Sequence, residues 1–600
     1  MSIHMNEVPQ TWKPVLSVDI ESTGLDPFID HILSVTIFDG TDYWIYLHTH
    51  GFNKIKAVLE DEKVLKIFQN AKFDMKMLLQ QKKIEVHNIY DTMLADAVIY
   101  MGLHFPMDLA SIVARHVGEL LNKDEVQSFL NHPGFDKQPL TDEQIEYMCK
   151  DVQYLFDIRK AQLELISTRK LGKVIALEFE IVPAVIELEL GGLRLDIPMW
   201  FEMVEYFTKS IADIEQTVKD IIGNEYILQV PAVKKGEPIV KEIPCESINL
   251  GSSQQMTALF NKRFNVDVQA INEKELSAYL EKHMDEESDG IDVIHHLLRK
   301  KKYSKRLTYN YQDYVHAVTG KVHPNFHQVS TFNNDKNEGT VTGRLSCSNP
   351  NVQQVPRPEP NEPNMRRLWR GDTDDYVIVC ADYAQQEPRI MAHLSLDEKL
   401  LKACSEIDVY IACGELAYGE TIDKHDPRRH IMKTCMLASF YGAGPATMHI
   451  NSGLPEDECT LIRDFIREKF PTAAAFGNKM RSFAETYKFV PTALGRRRYG
   501  EFSYMEAVNM PVQGTAADMF KMALARINKV LTEEKKCGML DINTRGWNLV
   551  HDEIEVHAHK DQVEHVAELV KREMEAAAHD ICPDVLHLAE VHWDYRWDKN

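Results

Sequence analysis

The chain has 600 residues, 44% hydrophobic and 26% charged, with a formal net charge of −23. That length exceeds what one hydrophobic core serves, so two to four domains are expected, and the composition is that of an ordinary globular protein, which excludes a fibrous or disordered chain. No apolar run approaches the roughly 20 residues of a membrane span; the ten cysteines are scattered without a CxxC pair, behind an opening (MSIHMNEVPQ) with no secretory leader, which predicts reduced thiols and a cytoplasmic setting.

The acidic total argues, taken alone, against a polyanionic partner. Such binding depends on local surface, however, and basic clusters stand at residues 299–306 (RKKKYSKR), 366–370 (RRLWR), 428–433 and 496–498. Each cluster by itself reads better as a solvated face.

In chain order, residues 15–20 form an apolar, strand-like run that ends in Asp19-Ile20-Glu21. Alternation on a strand puts Asp19 and Glu21 on one face, where two carboxylates either invite a cation or mark a solvent-facing edge. Asp74 follows in QNAKFDMKML, where Phe73, Met77 and Leu78 have helical spacing. The spacing of Ile145, Met148, Val152 and Leu155 predicts a helix capped by Thr141 with Gln144 three residues on. Tyr147 and Asp151 share one face of it. From 172 to about 319 the period is helical, with a stripe over 177–196 interrupted at Pro183 and stopped at Gly191-Gly192.

The segment 340–356, TVTGRLSCSNPNVQQVP, is turn-rich and carries Arg344. Residues 376–380 read as a buried strand, then comes Asp382, then a helical run. A carboxylate after a strand either caps the next helix or faces a cation. In DPRRHIMKTCMLASFYG (426–442), Arg429, Lys433, Leu437 and Tyr441 recur every four residues on one helix face, and two cations one turn apart suit a triphosphate. EAVNMPVQGTAADMFK (506–521) places Pro511 and Gly514 at the start of a helix. NLVHDEIEVH (548–557) reads as a hairpin presenting His551, Asp552 and Glu553 at its bend. If that bend meets Asp382, two carboxylates from distant strands can hold two divalent ions.

These segments carry a resemblance. DYAQQEPR (382–389) resembles the first catalytic motif of family A DNA polymerases, the relatives of bacterial DNA polymerase I; HDE (551–553) resembles the last, and residues 429–442 resemble their fingers helix. DxE, NxxFD and YxxxD within the first 151 residues resemble the motifs of DEDD-type 3′–5′ exonucleases of the Tyr subclass. The resemblance implies an α/β and α+β multidomain fold. A ribonuclease H-like exonuclease domain (1–165) would be followed by a right-hand polymerase: linker helix and thumb (166–320), palm (321–400 and 495–600) and fingers (401–494). It implies template-directed addition of deoxynucleotides to a primer 3′ end by two-metal chemistry, with proofreading. Asp382 and Asp552 would bind two Mg²⁺ ions, with Mn²⁺ able to substitute, and Glu553 would join them in catalysis. Asp19, Glu21, Asp74 and Asp151 would hold two more, with Tyr147 positioning water. Arg429, Lys433, Leu437, Tyr441, Gln385 and Glu387 would contact the nucleotide, Lys433 also protonating pyrophosphate and Glu387 occupying the space of a ribose 2′-hydroxyl. Arg344, Asn509, Gln513 and His551 would contact primer-template DNA.

The chain departs from that pattern at Leu437, where Phe or Tyr is usual, which predicts rejection of dideoxy analogues. It departs also at Tyr410, usually His, at Gln386 and Pro388, commonly apolar, and at Met505, commonly Arg. A single-subunit RNA polymerase is opposed by Glu387 and the exonuclease motifs, and a non-catalytic fork-binding protein by the intact carboxylates. About a dozen residues precede the exonuclease unit; a missing 5′-nuclease domain and a phage-type replicative enzyme are expected.

Overall fold

Six strands open the chain as one mixed sheet in the computed structural model, which describes residues 1–121, 138–234, 237–283, 286–333, 336–406 and 408–598. They are β1 (Ile3–Met5), β2 (Val15–Ser22), β3 (Ile32–Phe38), β4 (Tyr43–Leu47), β5 (Leu65–Phe68) and β6 (Ile89–Asp91), hydrogen-bonded in the order β1-β4-β3-β2-β5-β6. β3 runs antiparallel to both neighbours, and the other three pairings are parallel. Every residue of β3 is buried, as its Val and Ile content and central place require. Ile67 and Phe68 alternate on β5 into two different cores. Phe68 joins Leu16, Val18 and the α1 (Ala71–Lys82) residues Met77 and Leu78; Ile67 joins Leu155 and Ile158 of α2 (Asp142–Arg169). The cap read from sequence forms: Thr141 Oγ1 accepts the Gln144 N–H at 3.2 Å while Gln144 Oε1 accepts that of Thr141 at 3.0 Å. The stripe over 177–196 is two helices, α3 (Gly172–Glu180) and Val182–Gly191, because Pro183 serves as a helix start.

By contacts the chain divides into two units, Met1–Arg194 with Val315–Pro356 and Trp369–Asn600, and Leu195–Tyr314 with Arg357–Leu368. In the smaller unit, Phe207 of the helix Ile197–Ile222 meets Tyr303 of Asp289–Leu307 with ring centroids 5.2 Å apart. The helical period expected there is broken by an antiparallel hairpin of Ile227–Lys234 and Glu237–Pro244. Within the 299–306 cluster, Arg306 is buried against Glu362 at 2.6 Å and Lys302 lies 3.0 Å from the same carboxylate.

The larger unit continues through β7 (Tyr376–Tyr383), α4 (Gln386–Ser395), α5 (Val409–Tyr418), α6 (Pro427–Phe440), α7 (Tyr504–Lys536), β8 (Arg545–Val550), β9 (Glu553–His559), α8 (Val563–Ile581) and β10 (Ala589–Asp594). Its antiparallel sheet has the order β8-β9-β7-β10. Val377, Val379, Ala381 and Tyr383 make one face of β7, where the Tyr383 hydroxyl donates to the Met574 carbonyl of α8 at 2.8 Å. Two expectations are corrected. β7 extends to Tyr383, because β10 pairs with it that far, so Asp382 lies within the strand. α7 starts at Tyr504 on a Ser503–Glu506 capping box, which leaves Pro511 and Gly514 inside the helix. A Cβ at position 514 would stand 2.6 Å from Thr492 Cγ2, which accounts for glycine there.

α3 and α7 are joined by a buried charge network. Glu178 Oε1 accepts from Lys521 Nζ at 2.6 Å and lies 2.7 Å from Arg496 Nη2, whose Nε donates to Asp518 at 2.7 Å. Arg496 of the 496–498 cluster is therefore interior, only 1% exposed. Among the described residues no helix is long and apolar enough to cross a membrane. Removing one member of such a network strands the others' charge, so Glu178→Ala is expected to lower unfolding free energy by about 3 to 5 kcal/mol in urea denaturation; a loss below about 1 kcal/mol would show that these pairs do not hold α3 to α7.

Candidate active sites

The first site grows out of β2. Asp19 and Glu21 leave the strand on one face, Asp74 on α1 accepts the Ile20 N–H at 3.1 Å, and Tyr147 and Asp151 approach from α2. Burial and the Asp151 charge raise the Asp19 carboxyl to about 8. Burial, Asp19 and Asp151 push Glu21 well above its ordinary range, and burial with Asp19 does the same to Asp74. The Tyr147 hydroxyl is pushed up by burial and by Asp151 beside it. All five residues read from the sequence are thus brought together. Asp74 and Asp151 are buried and Asp19 and Glu21 half-buried; with the Asp19, Glu21 and Asp74 carboxyls all raised, a cation that displaces their protons relieves the repulsion, and an all-oxygen donor set suits a hard divalent ion. Asp91, which the sequence reading missed, is buried beside them as a structural acid. It accepts the N–H groups of Ala71, Met93 and Leu94 at 2.7, 2.8 and 3.1 Å and so fixes two helix starts.

The second site grows out of β7. β8 and β9 are closed by a two-residue turn, His551 and Asp552, with His551 at φ +58° and Val550 paired with Glu553. β7 pairs Asp382 with Glu553 on one side and Glu590 on the other. The two motif acids, 382 and 552, therefore reach the same end of the sheet. On the β9 face shared with Asp382, Glu553, Glu555 and His557 alternate and are buried, a polar stripe of which the sequence reading named Glu553 and missed Glu555 and His557. His557 is held neutral: burial and nearby Arg545 lower it to about 4.

Around this edge the expected nucleotide contacts are arranged unequally. Arg429 donates through Nε to Asp408 Oδ2 at 2.7 Å. Asp408 Oδ1 accepts the Tyr410 and Ile411 N–H groups at 3.0 and 3.1 Å, and Gln385 Oε1 accepts that of Val409 at 2.7 Å. Gln385 and Arg429 are thus both tied to the start of α5, through Asp408, which the sequence reading missed. Lys433 is exposed on α6 and Leu437 is half-buried. Glu387 stands among Arg344, 3.8 Å away, and the hydroxyls of Tyr410 and Tyr441, each pushed up by burial and by the Glu387 charge. Asn509 and Gln513 are partly exposed one turn apart on α7. Arg344, His551 and Asp552 line a small cavity with Gln386 and Phe520.

Two family models match the chain. Residues 5–166 match the 3′–5′ exonuclease family model, and residues 214–599 match that of DNA polymerase family A. The second match covers more than half of the chain: it belongs to DNA polymerase family A. It is 26% identical to DNA polymerase I of Chloroflexus aurantiacus over 628 residues, 97% of this chain and 61% of that protein. It is 24% identical to DNA polymerase I of Aquifex aeolicus, covering 98% of this chain and 96% of that one, and 32% identical over 276 residues to the thermostable DNA polymerase I of Thermus aquaticus, 44% of this chain and 31% of that protein. The chain thus spans about three-fifths of the Chloroflexus relative. Its fold is that of the polymerase domain of Pol1 from M. smegmatis, solved in complex with DNA primer-template and dNTP, with a TM-score of 0.76 at 21% identity over 97% of this chain and 95% of that one. Polymerase and exonuclease domains of this kind are metal-dependent.

Because the first site buries repelling acids, Asp74→Asn in chelator-treated protein is expected to raise the melting temperature by about 2 °C or more. Saturating divalent ion should reverse the order of parent and variant. A variant that melts lower in both conditions would refute this account of the repulsion.

Proposed function

We propose that this chain is a template-directed DNA polymerase that extends a primer 3′ end with deoxynucleotides and removes mispaired ends by 3′–5′ hydrolysis, in DNA replication. The observation that carries it is the β7–β9 register, which sets Asp382 opposite Glu553, the neighbour of Asp552. In this reading residues 1–165 are the exonuclease domain, 166–320 linker helix and thumb, 321–400 and 495–600 palm, and 401–494 fingers. The ten free cysteines, nine of them buried, support a reducing, cytoplasmic setting.

The oxygen donors of both sites suit Mg²⁺, with Mn²⁺ as a substitute. Asp382 and Asp552 would hold it at the polymerase site, and Asp19, Glu21, Asp74 and Asp151 at the exonuclease site. Bound there, such ions activate the attacking oxygen and neutralise the leaving group. Lys433, exposed one turn beyond Arg429, grips the triphosphate and gives its proton to the departing pyrophosphate oxygen. Arg429, fixed by Asp408, adds charge without having to be ordered on binding. Tyr441 stacks under the base, Leu437 touches the 3′ side of the sugar, Gln385 borders it, and Glu387, hemmed in by Tyr410 and Tyr441, fills the volume of a 2′-hydroxyl. Glu553 braces Asp382 across the strand pair. Arg344, Asn509, Gln513 and His551 contact the duplex; in the minor groove such contacts test pair shape without reading sequence. At the exonuclease site Tyr147 holds the attacking water.

Primer extension with Mg²⁺, comparing dNTPs with rNTPs in the parent and in Asp382→Ala, tests this. Extension by dNTPs alone is expected, lost in the variant while 3′ shortening persists; extension by rNTPs at a comparable rate would instead support an RNA polymerase and sink the Glu387 gate. Leu437→Tyr restores a hydroxyl where the sugar's 3′ oxygen is sensed, so dideoxynucleotide incorporation should rise about tenfold relative to dNTP. An unchanged ratio would remove Leu437 from the sugar contact.

A further inference from the structure

The sheet face that carries Asp382 carries different chemistry one rung deeper. β7 and β10 pair Cys380 directly with His592, and β7 and β9 pair Asp382 with Glu553. Alternation therefore sets Cys380, His592 and Glu553 on one face across three adjacent strands. One ligand atom from each, a thiol sulfur, a ring nitrogen and a carboxylate oxygen, lies within 4.8 Å of the other two, with Cys380 and Glu553 buried and His592 half-buried. The imidazole is already oriented: Nε2 lies 2.9 Å from the Asp598 carbonyl and must donate to it, which leaves the Nδ1 lone pair available. A backbone carbonyl on the far ring nitrogen is how metal-bound histidines are commonly held.

We propose that Cys380, His592 and Glu553 form a site for a soft divalent ion, zinc foremost, that adjoins the all-oxygen polymerase site and shares Glu553 with its surroundings. Thiolate and imidazole select zinc over Mg²⁺, so millimolar Mg²⁺ does not compete for it. Ligand atoms around tetrahedral zinc stand roughly 3.5 Å apart, given bonds of about 2.0 to 2.3 Å, so side-chain rotation of about an ångström closes the set, with water as fourth ligand. Loading the site exchanges the Cys380 thiol proton for the sulfur–metal bond and releases that proton to solvent. It also holds Glu553, the cross-strand partner of Asp382, and so slows nucleotidyl transfer. This second, inhibitory half rests on the function proposed above; the binding half does not.

The test is titration of metal-free, full-length protein with Co²⁺, a zinc surrogate whose thiolate charge-transfer band no carboxylate site can produce. The expected result is a near-ultraviolet band saturating at about one equivalent, displaced by Zn²⁺, absent in Cys380→Ser, and shifted to at least tenfold higher Co²⁺ in His592→Asn, which sits on an edge strand and keeps the test open if the first variant fails to fold. No band in the parent, or a band that survives in Cys380→Ser, overturns the site. In primer extension with Mg²⁺, micromolar zinc should slow the parent about tenfold and spare Cys380→Ser. A Cys380-dependent band with extension indifferent to zinc overturns the inhibitory half. A parent that gives the band but extends nothing in Mg²⁺ alone fails the polymerase reading and upholds the site.

Discussion

Carboxylates repel one another, the repulsion grows when water is removed, and each site described here is made by forcing several of them together. In the first, the acids come from a strand and two helices, so the six-stranded sheet and the cap at Thr141 must hold what electrostatics would push apart. The elevated acids at Asp19, Glu21 and Asp74 are the mark of that stress. In the second, a single central strand with partners on both sides does the holding, and Asp382 is gripped by backbone pairs from β9 and β10 at once. Rigidity around the acids is thus a requirement of the chemistry, and the rest of the larger unit supplies it.

Much of that rigidity comes from cations turned inward. Arg496 and Lys521 face Glu178 and Asp518; Lys72 and Lys76 lie 2.7 and 2.8 Å from Glu189; Lys321 and Arg545 converge on Asp372. The pairs with Glu178 and Glu189 and that of Arg545 with Asp372 join segments more than 100 residues apart in sequence. They also explain why clusters of Arg and Lys overstate the charge available to a polyanion, since members of the clusters at 299–306, 366–370 and 496–498 are interior.

The sequence exposed those features whose cause is local. The β2 run, the Thr141 cap, the 548–557 hairpin and the acids of both sites were legible from period, capping chemistry and motif. What depended on distant partners was not. β7 runs on to Tyr383 because residues some 200 positions later pair with it, and no local signal announces them. Pro511 read as a helix start, whereas the real start lies at a Ser503–Glu506 cap one and two turns earlier. Glu555 and His557 alternate with apolar neighbours like a solvent-facing strand edge, yet the sheet buries them. Asp408 gave no sign of its bond to Arg429, because the two are 21 residues apart on different helices.

That last linkage has an evolutionary consequence. Gln385 holds the first N–H of α5, Asp408 caps the same helix, and Asp408 also orients Arg429. A residue three positions past Asp382 is thereby wired to the cationic face of α6. Residues 385, 408 and 429 should therefore travel together: a chimaera that imports α6 from a relative without matching residues at 385 and 408 would carry an arginine whose anchor is missing, while recombination outside 385–429 leaves the wiring whole.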